Sequence, residues 1–197
     1  MYKSELLDSM LKKNNGILRT YDAIQAGISK TYFLSYLKKH NFDKVAQGIY
    51  VSPDAWLDEM YLLQTRFPSA VFSHESALYL LNLAEREPLR FTITVRTGYN
   101  NANLKSKGVK VYSIKPDLFE IGLTKLQSPS GYTLRAYNAE RTICDLIRSR
   151  STVEIQDLLS GIKTYTRQKG KNIPLLMRYA KEFHTEKLLR QYLEVLL

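Results

Sequence analysis

Cysteine is almost missing from these 197 residues, and Cys144 stands alone. One thiol closes no intramolecular disulfide and builds no cysteine-based metal site, so the chain suits a reducing compartment. Long apolar runs are missing as well. None approaches the roughly 18 residues of a spanning helix. The opening Met1-Tyr2-Lys3-Ser4-Glu5-Leu6-Leu7-Asp8 mixes charge with apolar residues where a signal peptide would be continuously apolar. The expected location is the cytoplasm, with no membrane partner. No segment is low in complexity, and no repeat of solenoid length recurs. Catalytic signatures are equally scarce. His40, His74 and His184 lie far apart, and His74-Glu75 lacks the second histidine, one helical turn on, that a zincin helix carries. Ser128-Pro129-Ser130-Gly131 lacks the Lys-Ser/Thr end of a phosphate-binding loop, and no Asp-x-Asp pair follows it for metal-dependent nucleotidyl transfer. The expectation is a protein without metal or cofactor, and not an enzyme.

What is present is an ordinary globular composition with an excess of positive charge. Hydrophobic residues at 44% and charged residues at 24% argue against disorder. The 29 Lys and Arg against 19 Asp and Glu leave a formal charge of +10, a field that favours polyanions. Two regions concentrate it. Residues 1–50 hold eight basic and four acidic side chains. Gly161 to Lys181 contains no carboxylate at all, but holds Lys163, Arg167, Lys169, Lys171, Arg178 and Lys181. A basic run by itself can be merely a solvated face, so the surrounding motifs have to decide.

Periodicity organises the chain. Ser4 to Lys13 places Leu6, Leu7, Met10 and Leu11 on one helical face, with Ser4 as cap and Asn14-Asn15-Gly16 as stop. Ile17-Leu18 reads as a short apolar link. Thr20 caps a second short helix closed by Gly27, and Ser29 starts a third at Lys30 to Lys39. In that third helix Phe33, Leu34 and Leu37 point inward, and Tyr32, Ser35, Tyr36 and Lys39 point outward. Phe42 to Val51 is a hairpin turning at Gly48. After a break at Pro53 to Trp56, a helix over Leu57 to Phe67 ends at Pro68. Farther on come a helix at His74 to Leu83, a strand at Arg90 to Arg96 and a polar loop at Gly98 to Gly108. Strands follow at Val109 to Ile114, Phe119 to Lys125 and Tyr132 to Ala136, then a helix at Ala139 to Arg148 capped by Asn138. Helices fill the remainder, closing on the apolar stripe Leu188, Leu189, Tyr192, Leu193, Leu196 and Leu197. His74 packs or caps its helix, Cys144 is core, and Glu140, Arg141 and Asp145 are the charged side of an amphipathic helix.

Helix, short helix, tight turn, helix and hairpin within about 50 residues is the order of a winged helix-turn-helix, whose third helix fits the major groove. On this reading Tyr32, Ser35, Tyr36 and Lys39 reach base edges. Ser29, Lys30, Thr31 and Lys38 flank them, and Arg19, Lys44 and Gln47 hold phosphates. The run Lys163, Arg167, Lys169 and Lys171 is a second DNA-contacting face or a docking surface for an acidic partner, and DNA is preferred.

Gly27-Ile28-Ser29-Lys30-Thr31-Tyr32, with Leu34, Leu37 and Val45-Ala46-Gln47-Gly48-Ile49-Tyr50, resembles the N-terminal winged-helix domain of the AbiEi antitoxins of abortive-infection type IV toxin–antitoxin systems. Phe72-Ser73-His74-Glu75-Ser76-Ala77-Leu78 and Ala139-Glu140-Arg141-Thr142-Ile143-Cys144-Asp145 resemble that family's second domain. The resemblance implies a bacterial repressor of its own operon, bound to double-stranded operator DNA at inverted repeats. It also implies an antitoxin that counteracts a nucleotidyltransferase-type toxin in phage defence. The expected fold is α+β, with a winged helix-turn-helix over residues 1–52. Residues 53–197 form a mixed domain with a small antiparallel sheet and a helical layer. The competing readings are an enzyme acting on nucleotide or on the toxin through the second domain, and a purely protein-binding antitoxin module.

Overall fold

Helix-forming and strand-forming segments alternate along the chain in the order just read, with differences at several boundaries. The computed structural model describes residues 2–55 and 58–196. Trp56, Leu57 and Leu197, and the side chain of Leu196, all named above, lie outside the described residues. The chain divides into two compact units, residues 1–62 and 63–197, so the division falls inside a helix and not at residue 52. The class is α+β.

The first unit runs α1 (Lys3–Lys13), β1 (Ile17–Arg19), α2 (Thr20–Gln25), α3 (Lys30–Lys39), β2 (Asp43–Ala46) and β3 (Ile49–Val51). This is the winged helix-turn-helix order. Helix α1 starts one residue earlier than expected, with Tyr2 and not Ser4 as cap, and the Tyr2 N–H donates to Glu5 Oε2 at 3.0 Å. Ile17-Leu18 is not a mere link. It forms β1, which pairs antiparallel with β3 and completes a three-stranded sheet in the order β1-β3-β2. Glycine at 48, at φ +72°, permits the hairpin turn, and its carbonyl accepts the Thr20 N–H at 2.8 Å. Leu7, Leu18, Ala23, Ile28, Phe33, Tyr36 and Leu37 make the core. Each large apolar side chain so buried contributes about 1.5–3 kcal/mol.

Helix α4 (Glu59–Arg66) carries the chain from the first unit into the second. There follow β4 (Val71–Phe72), α5 (His74–Leu80), β5 (Thr92–Arg96), α6 (Ala102–Lys105), β6 (Lys110–Ile114), α7 (Pro116–Phe119), β7 (Leu123–Gln127) and β8 (Thr133–Tyr137). The last four helices are α8 (Ala139–Arg148), α9 (Ile155–Arg167), α10 (Ile173–Glu182) and α11 (Glu186–Leu196). The polar loop thus contains a short helix, and Phe119 closes α7 instead of opening a strand. The five strands lie in the order β6-β5-β4-β8-β7. Their sheet is mixed, not antiparallel: β5 with β6 and β4 with β8 run parallel, while β4 with β5 and β7 with β8 run antiparallel. Parallel neighbours need a crossover connection, and α6 lies in the one between β5 and β6.

Two details fix this sheet. Strand β4 has only two residues and pairs with β8 at Phe72 and Ala136, which leaves a place beside the Arg135 main chain on the side away from β7. The Gln64 amide of α4 takes that place: its Oε1 accepts the Arg135 N–H at 2.6 Å, and its Nε2 donates to the carbonyls of Arg135 at 3.0 Å and Ala70 at 3.2 Å. At the other end, Gly122 has φ +75° and lies against α8. A Cβ there would stand 2.5 Å from the Arg141 Cβ.

Helix α8 is buried from Glu140 to Ile147 on every face, which corrects the amphipathic reading. Most of its polar groups find partners inside, while Arg141 Nη2 and Thr142 Oγ1 are buried with no hydrogen-bond partner among the described residues. Arg141, at zero exposure, donates to Asp145 Oδ2 at 2.9 Å and to the carbonyls of Leu118 and Ile121 at 2.8 and 2.7 Å. Its guanidinium also lies 4.1 Å from the ring centroids of Tyr137 and Phe183. Glu140 Oε1 accepts the Tyr165 hydroxyl at 2.9 Å. Cys144 is core, as expected, and burial pushes its thiol up to about 12, far from a reactive thiolate.

Candidate functional site

Helix α3 begins at Ser29, whose hydroxyl accepts the Tyr32 N–H at 3.4 Å, and ends on Lys38 and Lys39. No acidic residue stands in its first turn. Phe33 and Leu37 anchor it in the core. The exposed residues are Lys30, Thr31, Tyr32, Leu34, Ser35, Lys38 and Lys39, and Thr31, Leu34, Ser35 and Lys38 follow helical spacing along one line. Tyr32 is half-exposed, with Lys3 Nζ 5.7 Å above its ring.

Two expectations for this helix are reversed. Tyr36 is buried at 6% exposure; its hydroxyl donates to Asp8 Oδ1 of α1, and its ring packs 4.4 Å from His40 and 6.0 Å from Phe42. Burial and the adjoining Asp8 carboxylate push its hydroxyl far above the ordinary range. A ring so enclosed reaches no base edge. Leu34, expected inside, is 42% exposed. The polar line therefore centres on Thr31, Ser35 and Lys38, with Tyr32 and Lys39 at its sides.

On the hairpin, Lys44 and Gln47 are exposed as expected. Arg19 is not available in the same way. Its Nη2 donates to the Tyr61 hydroxyl at 2.8 Å, its guanidinium lies 5.7 Å over the Tyr61 ring, and Asp22 Oδ2 is 3.9 Å away. Arg19 is thus oriented by Tyr61 and Asp22, with its side chain still 37% exposed.

The second basic region lies in the second unit. Lys163 and Arg167 are on α9, Lys169 and Lys171 on its connection to α10, and Arg178 and Lys181 on α10; all six are exposed and none is ion-paired with a described residue. Tyr165 of α9 is buried, where its hydroxyl accepts the Asn172 N–H at 2.8 Å. That bond ties the two helices beneath the cations.

His74 packs, as expected, inside this unit. It is buried at φ +49°, stacked 3.6 Å from the Tyr112 ring, with its ring nitrogens 3.0 Å from Ser73 Oγ and 3.1 Å from Ser149 Oγ. Burial, and after it the charges of Lys110, Arg141 and Arg148, hold its pKa well below the ordinary imidazole value. The folded chain therefore refuses a proton that the unfolded chain accepts. Stability contributed above pH 6.5 is lost as the pH falls below it, on the order of 1–2 kcal/mol by pH 5. Denaturant titrations at pH 7.5 and pH 5 are expected to read this loss, and His74→Asn, which tolerates the left-handed backbone, is expected to shrink it.

Together these features define the class: an α+β protein whose first unit is a winged helix-turn-helix and whose second is a mixed sheet under a helical layer. No family model matches the chain, and no curated protein does. The chain is similar to the crystal structure of the Rv2827c protein from Mycobacterium tuberculosis, with a TM-score of 0.58 and 14% identity over 90% of this chain and 70% of that one. At that identity the likeness concerns the fold. Among the described residues no helix is long and apolar enough to cross a membrane.

Proposed function

We propose that this chain is a cytoplasmic, sequence-specific DNA-binding repressor of its own toxin–antitoxin operon and an antitoxin against a nucleotidyltransferase-type toxin, acting by binding and not by catalysis. The observation that carries the DNA reading is the outward line of α3, where Thr31, Ser35 and Lys38, flanked by Lys30, Tyr32 and Lys39, stand clear of the core with no carboxylate in the helix. Hydroxyls and cations in that arrangement read base edges and hold phosphates in a major groove. Ser29 at the start of the helix, with Lys44 and Gln47 on the hairpin, positions the backbone. The antitoxin half rests on the sequence resemblance. A gel shift with the DNA upstream of the coding sequence tests the first half: a complex that survives excess scrambled duplex is expected, and equal competition by scrambled duplex would end the reading. Growth rescue on co-expression with the toxin encoded alongside tests the second half.

Lys163, Arg167, Lys169 and Lys171 supply a second phosphate-contacting face in this proposal. A single small module makes few contacts, and added cations raise affinity without adding base preference. Lys169→Gln with Lys171→Gln is expected to lower operator affinity and flatten the salt dependence by up to about two units of slope, with base preference unchanged. Titrations at several salt concentrations measure both. An unchanged slope with lost toxin protection would instead make this run a protein-docking face.

A further inference from the structure

Ser69, Arg96, Tyr99, Phe119 and Arg135 line a cavity of about 330 Å³ in the second unit. Strands β5 and β8, helix α7 and the segments just before β4 and just after β5 bring them there. Antiparallel pairing sets Val71 of β4 opposite Thr94 of β5, and continuing that register carries Ser69 beside Arg96. Arg135 arrives from β8, on the opposite flank of β4. Two arginines from strands that are not neighbours thus meet at one opening.

Both arginines are held in place by other groups. The Arg96 guanidinium lies 4.9 Å over the Phe119 ring and pairs with Glu120, which offsets its charge. Arg135 Nη1 donates to the Pro68 carbonyl at 2.7 Å, while the Gln64 amide fixes its main chain. No described carboxylate pairs with Arg135, so the cavity carries net positive charge. Planar guanidinium groups match the oxygens of a phosphate, and the Ser69 hydroxyl adds a donor. The Tyr99 ring and the ring-backed plane of Arg96 offer flat surfaces to an aromatic heterocycle. The size suits a small ligand and not a duplex.

We propose that this cavity binds a nucleoside monophosphate, its phosphate between Arg135 and Arg96 and its base against Tyr99. The inference stands apart from the operator reading, since no residue of α3 or the hairpin takes part. Calorimetric titration of the full chain with AMP, GMP, CMP and UMP, the matching nucleosides and inorganic phosphate tests it. At least one nucleotide is expected to bind saturably, and its nucleoside and inorganic phosphate at least tenfold more weakly. Arg135→Met and Arg96→Met are each expected to weaken the nucleotide at least tenfold, with Arg135→Lys intermediate because it keeps the charge and loses the fork. Melting curves on each variant check that it is folded. The variant Lys169→Gln with Lys171→Gln is expected to bind as the parent does, which separates a site from the general pull of a basic protein. The proposal is overturned by the absence of saturable binding, by a nucleoside or phosphate binding as tightly as the nucleotide, or by equal losses in the lysine and arginine variants.

Discussion

Replacing Asp145 by Ala is expected to destabilise the second unit by about 3–5 kcal/mol, because it strands the Arg141 guanidinium at zero exposure. For a chain of this length that corresponds to a melting shift on the order of 10 °C. The reverse substitution is asymmetric. Burial already raises the Asp145 carboxyl above the ordinary range, with Arg141 opposing it, so in Arg141→Met the acid can take a proton and become neutral. What Arg141→Met cannot repair is the loss of a donor to the carbonyls of Leu118 and Ile121, worth roughly 1–3 kcal/mol each if they stay dry. Denaturant unfolding of both variants at pH 7 and pH 5 should therefore show Arg141→Met less impaired at the lower pH, with no such relief for Asp145→Ala. If Asp145→Ala melted with the parent, the pair would not be what holds α8 in place. Gly122→Ala is expected to injure the same spot by collision, its Cβ meeting Arg141 on a backbone that disfavours any side chain.

The second large effect belongs to α3. Removing Lys30, Lys38 and Lys39 together, each to Gln, is expected to cut the salt slope of operator binding by about two to three units, and to lower affinity on the order of a hundredfold or more at low salt. Melting should barely move, because all three side chains are exposed. Tyr36→Phe is the contrasting experiment. It removes the hydroxyl bonded to Asp8, so it should cost about 1 kcal/mol of stability and leave base preference intact. A triple variant with an unchanged slope would take α3 off the DNA, and a specificity change in Tyr36→Phe would contradict the burial.

The exchange of Leu34 and Tyr36 shows where the sequence stops being decisive. With Phe33 and Leu37 fixing the inward direction, residues 34 and 36 both lie about 80° from it, on opposite sides. Periodicity is neutral between them, and hydrophobicity chooses Leu. The fold chooses Tyr, because Asp8 on α1 accepts its hydroxyl while His40 and Phe42 cover its ring. That partner is 28 residues away in sequence. Strand β1 was hidden by its three-residue length, too short to show alternation. The mixed pairing of the second sheet was hidden because β4 has two residues and borrows Gln64 to finish its ladder. Helix α8 was placed correctly at both ends by the Asn138 cap, yet its burial was illegible, since Glu140, Arg141 and Asp145 find their partners on other segments or one turn away. The exposed cations were the easiest part to read, for charge without a partner nearby in sequence usually faces water.

The hairpin places β2 at an open edge of its sheet, with one side of its main chain unpaired. A flat, apolar edge of that kind invites a strand from another molecule and seeds aggregation. Here the register slips between Lys44 and Ala46, and Asp43 and Lys44 stand exposed. The kink and the two charges spoil the template, so copies of the chain crowded together have little reason to zip edge to edge. The same irregularity that makes β2 a poor strand for self-association leaves its face in water and open to a polyanion.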